Sequence, residues 1–205
     1  MVCTAKFLGP DRTVHWSITR FVSTDLQSGK EQIGPELDHL YSGLEGFAVE
    51  PDGQHLLAIG ETERQPDGER TYLYRIRLRD LDVADIYEID GHVVPAPVVD
   101  TRGSAYLVSD GRLVALDLAS SDCRVLHERL PHAALHGYVS CIRVEFDTRL
   151  DLVTRDAWLV FAGDDGTLQS TRSFARPVVA AGFDAHGRLW TFDAGQVLTQ
   201  VDPPL

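Results

Sequence analysis

The feature that most constrains this chain is a short pattern that occurs four times along its 205 residues. Each copy has an apolar strand, an acidic residue, a tight turn usually closed by glycine, and a second apolar strand. The aligned acidic residues are Glu50, Asp100, Asp147 and Asp184, and the aligned turn closures are Gly53, Gly103, Leu150 and Gly187. A carboxylate accepts hydrogen bonds from turn amides, and glycine adopts positive φ without strain. The pattern therefore predicts four β-hairpins with structural turn carboxylates.

Further short strands follow each predicted hairpin. Third strands are predicted at 72–78, 113–118, 158–161 and 197–201, and weaker fourth strands at 86–89 and 124–127. Four short antiparallel strands repeating every 37 to 50 residues are typical of β-propeller blades. No segment shows sustained helical periodicity. The sequence predicts an all-β fold, a small β-propeller of four to five slender four-stranded blades, forming a single domain over residues 1–205.

Both ends of the chain are predicted to be incomplete blades. The N-terminal segment offers strands at 6–8, 14–22 and 31–33, which fit the second, third and fourth positions of a blade. The C-terminal segment supplies only the first three positions. Since unpaired strand edges promote association, the array is predicted to close end to end or, if open or truncated, to self-associate.

Charge and composition exclude several classes of partner. The chain carries 31 acidic against 19 basic residues, a net charge of -12, and such a surface repels phosphate backbones. It shows neither a signal peptide nor an apolar stretch long enough to span a bilayer. Three widely spaced cysteines, Cys3, Cys123 and Cys141, fit neither a disulfide framework nor a zinc site. We expect reduced, buried cysteines in a cytoplasmic protein. The alternative is a secreted protein, if the chain is a fragment of a longer one.

One segment resembles a known family. Residues 43–57 read GLEGFAVEPDGQHLL, followed by a charged segment at 61–70 and by Leu73, Tyr74 and Arg75. This order is similar to the E-G-x-A-x-x-P-D-G-x-x-L phrase of the bacterial phytase-like (esterase-like) propeller family, over residues 43–78. The resemblance implies a propeller in which a glutamate at the position of Glu45 can hold a metal such as calcium.

The repeat alignment also indicates Glu45 as the candidate metal ligand, independently of the family resemblance. In the aligned copies its counterparts are Pro95, Ile142 and Val179, all apolar. A carboxylate at the entry to an innermost strand lies near the propeller axis, where burial requires a cation or hydrogen-bond donors. The alternative is that Glu45 caps a loop or pairs with an arginine.

A ligand-binding face follows from propeller geometry. The innermost strand begins on the face that also carries the loops between second and third strands, and the segment 61–70 is predicted to be a long loop there. Side chains of varied chemistry share that face, as pockets require. They are Glu45, His92, Asp110, Tyr138, Arg155, Arg176 and Asp193. We predict a funnel on this face, with Glu45 near its floor.

No motif identifies a reaction. The chain has no nucleophile elbow, phosphate loop or Cys-x-x-Cys, and His132 and His136 lack a third zinc ligand. The sequence therefore favours a non-catalytic binding or interaction module with a protein or small-molecule ligand. The alternative is a metal-dependent propeller hydrolase or lyase with Glu45 at the axial site.

Overall fold

The computed structural model describes residues 2–8, 17–25, 27–35, 46–94, 96–130, 139–145 and 148–204. Within these ranges every regular element is a β-strand, and eighteen strands form five antiparallel sheets. No helix in them could span a membrane. The chain divides into two compact units, Met1–His92 and Val93–Leu205. The all-β prediction is confirmed, and the prediction of a single domain over 1–205 stays a prediction.

The first unit contains two sheets of consecutive strands. Sheet A consists of β1 (Val2–Leu8), β2 (Ser17–Thr24) and β3 (Glu31–Ile33). Sheet B consists of β4 (Gly46–Val49), β5 (His55–Gln65), β6 (Gly68–Arg77) and β7 (Val83–Asp90). Phe21 of sheet A packs in one cluster with Leu56 and Tyr74 of sheet B. Burial of these apolar faces holds the two sheets together.

The charged segment 61–70 is part of a hairpin, so the prediction of a long loop was wrong. Thr62 pairs with Thr71 and Gln65 with Gly68, so β5 and β6 extend the ladder to a two-residue connection. The charged side chains suggested a loop, but a hairpin tip that stands in solvent accommodates charges on its strands. Arg64 and Glu69 pair there at 3.1 Å.

The second unit contains three sheets. Sheet C consists of β8 (Val98–Val99), β9 (Ser104–Ser109), β10 (Arg112–Asp117) and β11 (Cys123–His127). Sheet D consists of β12 (Val139–Glu145), β13 (Arg149–Thr154), β14 (Ala157–Ala162) and β15 (Leu168–Ser173). Sheet E consists of β16 (Val178–Phe183), β17 (Leu189–Asp193) and β18 (Leu198–Val201). The sequence did not predict β15.

Sheet D is buried on both faces. Leu152 and Leu159 lie in a cluster with residues of sheet C, whereas Val153 and Trp158 lie in a cluster with residues of sheet E. Because successive side chains of a strand point to opposite faces, this double burial makes β13 and β14 nearly continuous buried runs. Trp158 of β14 is 1% exposed and packs in this core.

Two of the aligned carboxylates, Asp100 and Asp184, accept turn amides as the repeat predicted, whereas in the first copy Asp52 accepts them and the predicted Glu50 pairs with Arg75. The Oδ1 atom of Asp100 accepts the amides of Arg102 and Ser104 at 3.0 and 2.8 Å. The Oδ1 atom of Asp184 accepts the amides of His186 and Arg188 at 2.9 and 3.0 Å. In these turns side-chain oxygens replace water as partners of the backbone amides.

The third copy of the repeat is shifted by two residues from its predicted alignment. In these turns the amide of the residue that closes the turn donates a hydrogen bond to the carbonyl of the acidic residue, as Gly103 does to Asp100 at 3.3 Å. In sheet D this bond joins the amide of Thr148 to the carbonyl of Glu145 at 3.2 Å. The third acidic residue is therefore Glu145, and its turn closes at Thr148, whereas Asp147 lies outside the described residues and Leu150 lies within β13.

The prediction of uniformly buried cysteines was also wrong. Cys123, the first residue of β11, is exposed, and Cys141 in β12 is half-buried; neither of these two cysteines forms a disulfide. Burial, with the charge of Asp151 adding to it, raises the pKa of the Cys141 thiol to about 12. The two thiols therefore differ in environment and in reactivity.

Candidate functional site

Three members of the predicted ligand-binding face lie in adjoining loops of the second unit. The Nη1 atom of Arg176 is 3.7 Å from Oδ2 of Asp193. The carbonyl of Arg155 accepts the amide of Val178 at 2.7 Å, which joins the β13–β14 turn to the start of β16. A fourth member, Asp110, lies in the β9–β10 turn at a φ of 47°. The ligand-binding face stays a prediction.

The other members divide between the first unit and the undescribed residues. His92 ends the first unit, and its Nδ1 atom is 2.9 Å from Oγ1 of Thr62. Glu45 and Tyr138 lie outside the described residues, as do His132 and His136. The hypothesis of calcium at Glu45 therefore stays a prediction, and titrating calcium into the wild-type protein and Glu45→Gln by calorimetry tests it. A heat signal lost on substitution would support it, and identical signals would remove it.

A groove in the second unit lies where sheets D and E meet. We call it the D–E groove, and its volume is about 350 Å³, near the lower end of the roughly 300–1,000 Å³ found for ligand pockets. Its lining mixes charged, aromatic and aliphatic side chains. The lining residues are Arg143, Glu145, Arg149, Trp158, His186, Gly187, Arg188, Leu189, Gln200, Val201, Asp202 and Pro203.

Strand register explains why charged residues converge in this groove. Arg143 of β12 stands directly opposite Asp151 of β13, and Glu145 stands opposite Arg149. Alternate residues share a face, so these four side chains share the face of sheet D that packs against sheet E, while Leu150 and Leu152 point the other way. The sheet thus assembles two opposite-charge pairs side by side.

Asp151 is the centre of this cluster. Its side chain is fully buried and accepts five hydrogen bonds from three side chains. Arg143 donates to Oδ2 from Nε at 3.1 Å and Nη2 at 2.7 Å. Arg149 donates to Oδ1 from Nε at 3.1 Å and Nη2 at 2.8 Å, and Nε1 of Trp158 donates to Oδ1 at 2.9 Å. A buried carboxylate requires such pairing, and in return it fixes both guanidinium groups.

Arg143 also connects the two sheets. It donates from Nη1 to the carbonyl of Gly187 at 3.1 Å, and its guanidinium lies 4.3 Å from the ring centre of Phe183. Gly187 has a φ of 74°, and a β-carbon there would collide with Nη1 of Arg143. The positive φ favours glycine at 187, and a side chain there would also displace Nη1 of Arg143 from its present position.

The opposite wall of the D–E groove is the β16–β17 turn. Oδ2 of Asp184 accepts Nε of Arg188 at 2.7 Å and Nε1 of Trp190 at 3.2 Å. Burial opposes ionisation of this carboxyl group, but the hydrogen bonds from Arg188, Trp190 and His186 outweigh it and hold the pKa of Asp184 well below its usual range. Asp184 therefore stays ionised and holds Arg188 beside the groove.

Several donors in the D–E groove remain available to a ligand. Among the described residues, Nη1 of Arg149 and both Nη atoms of Arg188 have no hydrogen-bond partner, and the same holds for the imidazole of His186. Arg149 is 32% exposed and Arg188 is 50% exposed, so solvent reaches both. The arrangement can donate hydrogen bonds to an anionic or carbonyl group, while Glu145 and Asp202 supply acceptors at its margin.

A second polar cluster lies at the β4–β5 turn. Glu50, Asp52 and His55 place one ligand atom each within 4.8 Å of the others, a spacing that could suit a metal ion. However, both oxygens of Glu50 accept hydrogen bonds from Arg75, at 2.7 and 2.9 Å. Oδ2 of Asp52 is 2.8 Å from Nδ1 of His55. We interpret this cluster as an ion pair beside a structural turn.

None of the residues that line the D–E groove was predicted from the sequence as a site residue. The available signal was the alternation of charged with apolar residues at 142–145 and 149–152, which places Arg143, Glu145, Arg149 and Asp151 on one face. A strand buried on both faces seldom carries charges unless they are paired with one another. Two such strands in succession therefore indicated a polar cluster.

Comparison with known proteins shows the fold. No family model matches the chain, and no curated protein matches it. The Dos1 propeller matches with a TM-score of 0.67 and 9% identity, over 98% of this chain and 53% of that one. The WD40 β-propeller domain of Doa1 matches with a TM-score of 0.59 and 12% identity, over 89% of this chain and 59% of that one.

A shorter protein matches as well. The computationally designed Ika4 protein has a TM-score of 0.55 and 11% identity, over 80% of this chain and 94% of that one. The chain spans about half the length of the Dos1 chain and about three-fifths of the Doa1 chain. The fold is a β-propeller, as predicted, and the finer resemblance to the phytase-like family stays a prediction.

Proposed function

We propose that this chain is a non-catalytic interaction module on a β-propeller scaffold, and that its D–E groove binds a segment of a partner protein. The observation that carries the proposal is the pair of arginines, Arg149 and Arg188, each fixed by its own aspartate and each with unused donors. Rigid sheets hold such groups in place before a partner arrives, which lowers the entropy lost on binding.

The chemistry of the groove also supports a protein partner. Arginine and aromatic side chains are enriched among the residues that dominate the energy of protein interfaces. The D–E groove combines three arginines with the exposed side chains of His186 and Pro203, above a buried floor of Trp158, Leu189 and Val201. A volume of about 350 Å³ suits one or two side chains of a polypeptide.

Selection from a random peptide library displayed on phage tests this proposal. We expect the folded chain to enrich a consistent set of peptides, whose binding weakens when groove residues are substituted. The control is Arg124→Glu, because Arg124 is exposed on sheet C and lies outside the groove. The absence of any enriched peptide would contradict the proposal.

Self-association through strand edges is a separate prediction about partners. Light scattering coupled to size-exclusion chromatography measures it directly. A particle mass that rises with protein concentration would support it, and a constant monomer mass of 22.7 kDa would remove it.

A further inference from the structure

We infer that the D–E groove recognises an acidic side chain, an aspartate or glutamate of the partner protein. This inference rests on the proposed function and names the chemistry that the same site takes. The unused donors of Arg149 and Arg188 in the groove belong to guanidinium groups, and a carboxylate is the side chain whose two oxygens match a guanidinium.

The two arginines are held in place without using all of their donors. Arg149 engages Asp151 through Nε and Nη2, and its Nε also lies 3.8 Å from Oε2 of Glu145. Arg188 engages Asp184 through Nε alone. The two residues occupy equivalent positions of neighbouring blades, because Leu150 pairs with Val144 in sheet D as Leu189 pairs with Phe183 in sheet E. One groove therefore presents two arginines from corresponding strands to the same ligand.

The surrounding charges limit the ligand to few negative charges. Glu145 and Asp202 also line the groove, and the whole chain carries a net charge of -12. This negative surface would repel a polyanion such as a nucleic acid at long range. A single carboxylate instead approaches the guanidinium N–H groups directly, where short-range hydrogen bonds outweigh the screened repulsion.

The walls of the groove favour a polypeptide over a free carboxylic acid. Leu189 and Val201 lie in the apolar cluster between sheets D and E, and both line the groove. Both are buried, at 0% and 9% exposed, so apolar contact to the carbon chain or the neighbouring residues of the bound side chain comes from Pro203, an exposed apolar residue of the lining. A glutamate within a peptide presents both a carboxylate and carbon atoms for apolar contact, whereas a small free acid presents only the carboxylate.

Fluorescence anisotropy tests the inference with two labelled peptides, both amidated at the C-terminus. One carries a single glutamate among uncharged residues, and the other carries a glutamine at the same position. We expect the glutamate peptide to bind the wild-type chain at least ten times more tightly than the glutamine peptide. Arg188→Glu should weaken glutamate-peptide binding at least tenfold, while Arg124→Glu, which changes the net charge equally, should change it less than twofold.

Other outcomes overturn the inference. Equal affinity for both peptides, no binding of either, or equal loss in both variants would each remove the acidic side chain as the ligand. Arg176→Glu probes the loop face predicted from the sequence, and a larger loss there than in Arg188→Glu would also overturn it. If the phage selection enriches peptides without acidic residues, the interaction module stands and this inference fails; if nothing is enriched, the proposed function itself fails.

Discussion

The buried carboxylate of Asp151 makes a quantitative prediction about stability. Asp151→Asn keeps the size of the side chain but leaves one acceptor oxygen and turns an amide group toward charged donors. Hydrogen bonds to charged groups contribute about 1.5–3 kcal/mol each, and removing one partner of a buried ion pair costs about 3–5 kcal/mol. Because Arg143 and Arg149 remain 19% and 32% exposed, hydration recovers part of the loss. We expect the free energy of unfolding to fall by about 3 kcal/mol.

Urea and thermal unfolding, followed by circular dichroism, measure this change. In a chain of 205 residues each kcal/mol shifts the melting temperature by roughly 2–4 °C, so we expect Asp151→Asn to melt about 6–12 °C lower. The control is Asp156→Asn, the same substitution at an exposed site five residues away. It should change the unfolding free energy by less than about 0.5 kcal/mol. A loss below about 1 kcal/mol in Asp151→Asn, or one equal to the control, would refute the reasoning.

Three further predictions concern a turn, a titration and a thiol. Gly187→Ala and Gly103→Ala both place a side chain at positive φ, at a cost of about 1–2 kcal/mol, but only the first collides with a guanidinium. Urea unfolding should therefore show a clearly larger loss of unfolding free energy for Gly187→Ala. Equal losses in the two variants would contradict this. Because the folded-state pKa of Asp184 is below its usual 3.8, its stabilisation is present above that pH and fades as pH falls toward the folded value. Between pH 6 and pH 2.5 the urea midpoint should therefore fall less in Asp184→Asn than in wild type, and parallel curves would argue against it. In a variant lacking the N-terminal cysteine, Cys123 should react with Ellman's reagent at pH 8 within minutes and Cys141 only after unfolding; two equally fast thiols would contradict it.

Local chemistry made the hairpins predictable from the sequence. Asp100 with Gly103 and Asp184 with Gly187 form turns through atoms only a few residues apart, so their residue types alone indicated the structure. The third turn was misaligned because Glu145 and Asp147 both fit the pattern. Strand pairing selects between them, and pairing depends on the whole sheet rather than on the turn.

The D–E groove could not be predicted in the same way. Arg143 and Asp151 meet across two strands, and Gly187, 44 residues beyond Arg143, meets the arginine only because sheets D and E pack together. Such contacts depend on which blades are neighbours and on their register. The alternation of charged residues in β12 and β13 indicated a polar face, but not which partner would cover it.

The position of Asp151 also constrains how the blades can change in evolution or in design. By strand pairing its equivalents in sheets C and E are Tyr106 and Trp190, which donate to the turn carboxylates Asp100 and Asp184. Replacing Tyr106, which is 2% exposed, by aspartate alone would bury an unpaired charge. An aspartate at this position therefore depends on an arginine at the position equivalent to Arg143. A consensus sequence averaged over the blades would lose this pair, so sheet D cannot be exchanged for a copy of its neighbours.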